Sequence, residues 1–273
     1  MKILGRESDQ GCGLRGGYKI SRHDTIIVAY PKSGSTWLRF MIGNYISNNR
    51  CDFTNYHFLV PDIHHNPYDC NRLRPPRIIK SHEPFTPEYY NVIYLARDGR
   101  DVAVSMFHHL KKYRMLPFET PFDVFIPQFN EGSVSKFGTW VEHVSKWINN
   151  VPQNFLLIKY ENMRLDPISS LKKVLIFAGI RLEEERIASA VRASDFSNMK
   201  RAEVEQYKRC DTLIGSDKRI QFVRNAEVGE WRKYFSEEMQ REFLRIHGSA
   251  LNALSYDISC NSLDLPGIIH REE

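Results

Sequence analysis

TIIVAYPKSGSTWLRFMIGNYI, residues 25–46, is the stretch on which the fold turns. Thr25 to Tyr30 is a short, β-rich apolar run stopped by Pro31, the pattern of a buried parallel strand. From Leu38 the apolar positions Leu38, Met41, Ile42 and Tyr45 recur at helical spacing. The order strand, loop, helix opens a βαβ unit. Between the two elements lies YPKSGSTW (30–37), where the unpaired N–H groups and positive dipole end of the coming helix point into the crevice above the sheet. Gly34 lets the backbone approach an anion closely, Lys32 adds a full charge, and Ser35 and Thr36 add hydroxyl donors. Walker A loops need G-x-x-x-x-G-K-[ST], whereas here the Lys precedes the only Gly, which weakens an ATPase or GTPase reading. Taken alone, the loop also reads as a Ser/Gly turn with a solvated lysine.

Outward from this loop the alternation repeats. RIIKS (77–81) and NVIYLA (91–96) read as strands, the second followed by a helix carrying Val102, Met106 and Leu110. NFLLIKY (154–160) reads as another strand, and Leu171, Val174, Leu175 and Ala178 as a helix that Gly179 can terminate. Strands alternating with helices predict an α/β fold: a single domain over residues 1–273 with a central parallel sheet flanked by helices on both faces. The first 20 residues read as a loosely ordered N-terminal segment. Val134, Phe137, Val141, Val144 and Ile148 predict one long amphipathic helix, and Met239, Phe243 and Ile246 another. The stretches 57–76 and 200–222 read as long loops of the lid or binding type.

The chain has 273 residues, 42% hydrophobic and 26% charged, which is the balance of a soluble globular protein. It shows no secretory h-region and no apolar run of membrane-spanning length, so a cytoplasmic protein without a membrane span is expected. Cys12, Cys51, Cys70, Cys210 and Cys260 are odd in number and form no C-x-x-C pair, so they read as reduced thiols. A net charge of +5 suits nucleic acid, a membrane surface or a small polyanion. The absence of like-charge blocks and of aromatic-interleaved basic runs disfavours nucleic acid.

Two more segments aim at the crevice. LARDGRDVAVSMFHH (95–109) puts Arg97 at the carboxyl end of its strand, where open α/β sheets bind ligands, and Ser105 two turns into the next helix. Read alone, its R-D-x-R-D string is more often a solvated, salt-bridged helix start. IIKSHEPF (78–85) places Lys80 and His82 on one face, since side chains two apart in a strand point the same way. His64 and His65 adjoin each other in a loop and are a weak metal signal; no convincing ligand set accompanies them.

Together these blocks resemble the PAPS-dependent sulfotransferases, where PAPS is 3′-phosphoadenosine 5′-phosphosulfate. YPKSGSTW is similar to that family's YPKSGTTW, and KSHEP to its K-T-H-x-P. The Arg97 and Ser105 pair matches its 3′-phosphate motif, and FVRNAEVGEWRKYFS (222–236) resembles its late R-K-G-x-x-G-D-W-K-x-x-F-[TS] block. KYENM (159–163) is similar to Y-E-D-M, and SDFSNMK (194–200) to the adenine-side segment. The resemblance implies PAPS as donor co-substrate, no metal, and in-line transfer to a small-molecule acceptor's hydroxyl or amine. By that resemblance His82 is general base, with Lys32 and Lys80 at the reacting centre. Ser33, Gly34, Ser35 and Thr36 hold the 5′-phosphate, and Trp37 stacks on adenine. Arg97, Ser105, Arg224, Asn225 and Ala226 meet the 3′-phosphate, while Tyr160, Ser194, Phe196 and Met199 surround the nucleoside. Asn225 and Ala226 depart from the usual Lys and Gly.

Glu83 stands where cytosolic members usually have an apolar residue, which suggests a polar or cationic acceptor. Tyr113, Phe118, Phe122, Phe125 and Phe129 lie in a stretch that reads as irregular, able to roof an acceptor pocket or to pack in the core. The family's short dimer motif is poorly matched, leaving the oligomeric state open. Two other readings compete: a P-loop phosphotransferase using ATP and Mg²⁺, and a non-catalytic nucleotide-binding module.

Overall fold

The computed structural model describes residues 14–15, 18–65, 67–210 and 213–258. Four parallel strands form the sheet: β1 (Thr25–Val28), β2 (Ile78–Ser81), β3 (Asn91–Ala96) and β4 (Asn154–Lys159), in the order β2-β1-β3-β4. All residues of β1 are buried, and Val28 lies in register with Ser81 on one side and Tyr94 on the other. Leu14–Arg15 pairs antiparallel with Tyr18–Lys19 inside the predicted N-terminal segment.

The two-residue period of β1 divides the core. Ile26 and Val28 join Val92 and Tyr94 on one face of the sheet. That face is covered by α2 (Gly99–Lys112), α3 (Phe122–Asn130), α4 (Trp140–Asn149) and α8 (Glu237–Ala253). Ile27, Ile93, Leu95 and Ile158 pack on the other face, under α1 (Ser35–Ser47), α5 (Pro167–Phe177) and α6 (Glu184–Ala193). Both faces of the sheet are therefore covered, as the alternation predicts. Gly179 follows α5 with φ +68, and the next amide, Ile180 N–H, returns to Leu175 O at 2.9 Å, so the glycine ends that helix. At the mouth of the sheet's other end, Arg77 and Asp24 form a buried two-bond pair of 3.0 and 2.5 Å that ties the starts of β2 and β1 together.

Four expectations are corrected. The amphipathic helix predicted from Val134 begins at Trp140, because Thr139 and Glu142 form a capping box that satisfies the first amides there. Phe122, Phe125 and Phe129 do not sit in an irregular segment. They recur along α3 and are buried in the core beside Phe235 and Phe243, despite Pro127 within the helix. Part of the stretch 200–222 is helical, since α7 (Phe196–Gln206) runs from an Asp195 cap; its buried side chains are only Met199 and Glu203, too few to leave an apolar period in the sequence. The 57–76 stretch contains two short helices, Tyr56–Leu59 and Pro67–Arg72. Between them residues 61–63 run beside β2, with Lys80 N–H donating to Pro61 O at 2.8 Å and Ile63 N–H to Lys80 O at 3.2 Å.

Among the described residues no helix is long and apolar enough to cross a membrane. Cys51, Cys70 and Cys210 are buried free thiols, while Cys12 and Cys260 lie outside the described residues.

Candidate active site

At the carboxyl ends of the strands lies a cavity of about 270 Å³. Its walls bring together residues from every segment singled out above: Lys32, Gly34, Ser35, Thr36 and Trp37 from the loop after β1, Lys80 and His82 from the end of β2, Arg97 and Ser105 beyond β3, Tyr160 beyond β4, Phe196 and Met199, and Arg224 and Ala226. Ser33, Ser194 and Asn225 are not among the lining residues. Ser33 is buried, and Asn225 is exposed. The Ser194 carbonyl accepts the Trp37 Nε1–H at 3.0 Å, so Ser194 acts on the cavity by orienting that indole.

The loop is held in an uncommon backbone shape. Lys32 has φ +75 and Gly34 φ +99, and a Cβ on Gly34 would lie 2.5 Å from Tyr160 Cδ2. Only glycine satisfies both the conformation and the close approach there. Tyr160 in turn carries the Arg97 guanidinium 4.3 Å above its ring. Arg97 reaches both neighbouring segments, donating to Lys32 O and to Glu227 O, each at 3.3 Å. Asp101, one turn on, accepts the amides of Gly229 and Trp231 at 2.7 and 2.9 Å and so fixes the loop that bears Arg224, whose guanidinium pairs with Glu230.

Ala226 occupies a position where the resembling motif has glycine, and its φ is +53. The left-handed region costs a non-glycine residue about 1–2 kcal/mol, and glycine's extra freedom when unfolded takes back about 0.5–1 kcal/mol of that. Ala226→Gly is therefore expected to stabilise the protein by about 0.5–1 kcal/mol. A rise in the denaturant midpoint at unchanged slope would show it, and a fall would refute the backbone account.

His82 has a defined tautomer. Its Nδ1 lies 2.5 Å from Ala29 O. A carbonyl oxygen only accepts, so Nδ1 carries the hydrogen and Nε2 keeps its lone pair. Burial, followed by the charge of Lys80, pushes the imidazole pKa well below its ordinary value, so the ring is neutral at pH 7. The backbone around it is pinned: His82 N–H donates to His64 Nε2 at 2.9 Å, His143 Nε2–H donates to His82 O at 3.2 Å, and Trp147 Nε1–H donates to Glu83 O at 3.1 Å. The His64 and His82 rings stack with centroids 5.8 Å apart.

Lys32 is half-buried among like charges. Burial first, then Arg97, Arg224, Lys80 and Lys112, bring its pKa down to about 7. Its Nζ is 3.2 Å from His109 Nδ1 and 5.2 Å from the centroid of the Phe222 ring. Phe222 is held there because Glu203 accepts the amides of Phe222 and Val223 at 2.6 and 2.8 Å, and Glu203 is paired with Lys112 at 3.3 Å. Lys80 sits 2.7 Å from the Asp62 carboxylate, and burial, opposed by that carboxylate, leaves its pKa at about 8.

Arg39, Tyr56, Asp62, His108, His109, Lys112, Phe222 and Glu230 also line the cavity, and the sequence reading missed them. His109 and Lys112 were within reach of it, standing four and seven residues after Ser105 on the same helix face. Asp62 left no such signal. Glu83 does not line the cavity; its carboxylate is 3.9 Å from His64 Nδ1. Phe122, Phe125 and Phe129 are in the core, and neither Tyr113 nor Phe118 lines the cavity. Among the described residues no group of three or more His, Cys, Asp or Glu side chains is arranged to hold a metal ion.

Residues 22–255 match the family model of the sulfotransferase domain. The chain belongs to the sulfotransferase family. This sulfotransferase is 30% identical to the 3-beta-hydroxysteroid sulfotransferase of Cavia porcellus, over 86% of this chain and 85% of that one. It is 28% identical to Sulfotransferase 1B1 of Mus musculus, over 86% and 84% of the two chains. Among solved structures it superposes on mouse sulfotransferase SULT7A1 complexed with PAP with a TM-score of 0.66, at 27% identity over 87% of this chain and 90% of that one. On retinol dehydratase in complex with androsterone and the inactive cofactor PAP the TM-score is 0.70, at 22% identity over 87% and 82%, a likeness of fold.

Proposed function

We propose that this sulfotransferase moves a sulfuryl group from PAPS to the hydroxyl or amine of a small acceptor, with His82 as general base and Lys32 neutralising charge on the departing phosphate. The observation that carries the reading is the meeting of Lys32, Arg97, Ser105 and Arg224 with a neutral, Nε2-accepting His82 in one cavity. The residues suit the donor. Arg97 is buried, and its Nε has no hydrogen-bond partner, which a ribose 3′-phosphate answers. Residues 33–36 offer the 5′-phosphate a helix N-terminus with hydroxyls. Trp37, Tyr160 and Phe196 offer the nucleoside aromatic surface.

The donor supplies an electrophilic sulfur: an S–O or S–N bond to the acceptor forms as the S–O bond to the 5′-phosphate breaks. His82 Nε2 receives the acceptor's proton as that bond forms. Lys32, with Lys80 nearby, offsets the negative charge left on the phosphate. A phosphotransferase reading is weakened by the loop's lysine, which precedes its glycine. The free thiols Cys51, Cys70 and Cys210 suit a reducing cytoplasm.

Metal-free adenosine 3′,5′-bisphosphate (PAP) at a hundred times its Kd is expected to stabilise the fold by about 2.7 kcal/mol, a Tm rise of roughly 5–10 °C for a chain of this size. A larger rise with ATP and Mg²⁺ would overturn the assignment. Radiolabelled transfer from PAPS to pooled acceptors separates an enzyme from a binding module.

A further inference from the structure

The cavity has a second polar end that the donor does not explain. Trp37 and Arg39 are two residues apart on α1, hence about 200° apart around it. They face opposite ways: the indole reaches Ser194 O, while Arg39 Nε–H donates to Val60 O at 2.8 Å. Arg39 is only 3% exposed, and its guanidinium lies 4.4 Å from the centroid of the Tyr56 ring. Its Nη2 is buried with no hydrogen-bond partner, and Arg39, Tyr56 and Asp62 line the cavity together with Lys80 and His82.

Asp62 does not answer that vacant donor. One of its oxygens takes Lys80 Nζ at 2.7 Å, the other accepts His64 N–H at 2.9 Å, and Arg39 Nη1 stands 3.8 Å away, beyond hydrogen-bond distance. Charge follows the same partition. Asp62 is hydrogen-bonded to Lys80 and pairs with Arg39 only at 3.8 Å, so one carboxylate is shared between two buried cations. A buried guanidinium N–H group is costly to leave unpaired, and a stacked, clamped Arg is preorganised to grip a planar anion.

We propose that Arg39 anchors a carboxylate on the acceptor, so that the molecule sulfated is a hydroxy or amino compound bearing an acid group. The proposal rests on the sulfotransferase reading with His82 as base. Arg39 sits on the β2 side of the cavity beside Lys80, whereas the donor's phosphates are matched by Arg97, Ser105, Arg224 and the loop after β1. The acceptor's acid group lies against Nη2 and its nucleophile at His82 Nε2. An anionic acceptor replaces the polar or cationic one suggested by Glu83, whose carboxylate is turned to His64 instead.

The test pairs acids with their esters: 4-hydroxybenzoate and 3-(4-hydroxyphenyl)propanoate, each against its methyl ester, with PAPS as donor. For at least one pair the wild-type kcat/KM is expected to favour the acid by about tenfold or more, mainly through KM, the worth of one charge-assisted hydrogen bond. Arg39→Gln should bring that ratio near one while PAP still raises the Tm, and Arg39→Lys should keep part of it. Equal or better turnover of both esters by the wild-type enzyme overturns the proposal, and needs no variant. So does a ratio that survives Arg39→Gln. If neither pair is turned over, binding to the PAP-saturated protein decides: an acid-over-ester difference in thermal shift that disappears in Arg39→Gln supports the site, and no difference overturns it. Failure of the sulfotransferase reading itself looks different, as no stabilisation by PAP and no transfer from PAPS to any acceptor.

Discussion

His82→Ala is expected to lower sulfuryl transfer by about 10²–10⁴-fold while leaving stabilisation by PAP in place. The two readouts separate because the imidazole's Nδ1 is committed to Ala29 O, which leaves Nε2 as the only basic atom of the ring. The pH profile carries the same claim. In the proposed mechanism the base is the neutral ring, present above its pKa, and burial holds that pKa well below 6.5 in the donor-free enzyme. The acidic limb of kcat/KM due to His82 therefore falls below pH 6.5, and a limb centred at or above that value would contradict the burial account. Stability shifts in the same direction. Burial lowers His64 and His143 from 6.5 to about 4, so between those values the unfolded chain binds more protons and stability falls as pH falls through that window. Acid unfolding should begin well above the carboxylate range.

Lys32→Ala is expected to reduce transfer by about 10²–10³-fold, the usual cost of one removed group that stabilises developing charge. A second, independent signature comes from its titration. With a pKa of about 7 in the donor-free site, Lys32 is mostly neutral at pH 8. A phosphate group placed beside it favours the ammonium, so PAP binding at pH 8 draws in a proton. Calorimetry in two buffers of different ionisation enthalpy should show an uptake approaching one proton for the wild-type enzyme and markedly less for Lys32→Ala. Equal uptake in both would mean that the lysine is already charged, or that another group, with Lys80 the first candidate, takes the proton. The linked effect on folding has a definite sign. Between about pH 7 and 10.5 the unfolded chain holds a proton at this lysine that the native state lacks, so its contribution makes the donor-free protein more stable as pH rises across that window.

All four strands of the sheet were visible in one dimension because buried parallel strands are continuous apolar runs, and three of them were followed by a stretch of helical period. The start of α4 was equally legible in principle, since Thr139 and Glu142 spell a capping box, yet the apolar spacing of Val134 and Phe137 drew the predicted helix upstream. Helix α7 was not legible, because only Met199 and Glu203 among its side chains are fully buried. Within the site, Arg97 could be named because it stands at the carboxyl end of a strand, whereas Ser105 and Arg224 were named through the resemblance to the sulfotransferase motifs. Asp62 could not: it meets Lys80 across 18 residues through a segment that pairs beside β2, and nothing in the spacing announces it. Ser194, named for the nucleoside side, does not line the cavity; its carbonyl accepts the indole N–H of Trp37, 157 residues away in sequence.

What the order of residues determined unaided was the βαβ layout and a loop bearing a lysine and hydroxyls at its crevice, because both follow from local periodicity and the ends of individual elements. Only the folded chain decided which atoms are free to react. The hydrogen on His82 Nδ1, the depressed charge of Lys32 and the unmatched Nη2 of Arg39 all depend on burial and on neighbours brought in from elsewhere in the chain. Desolvation and Coulomb forces act through distance in space, and distance in space is what a linear sequence does not record.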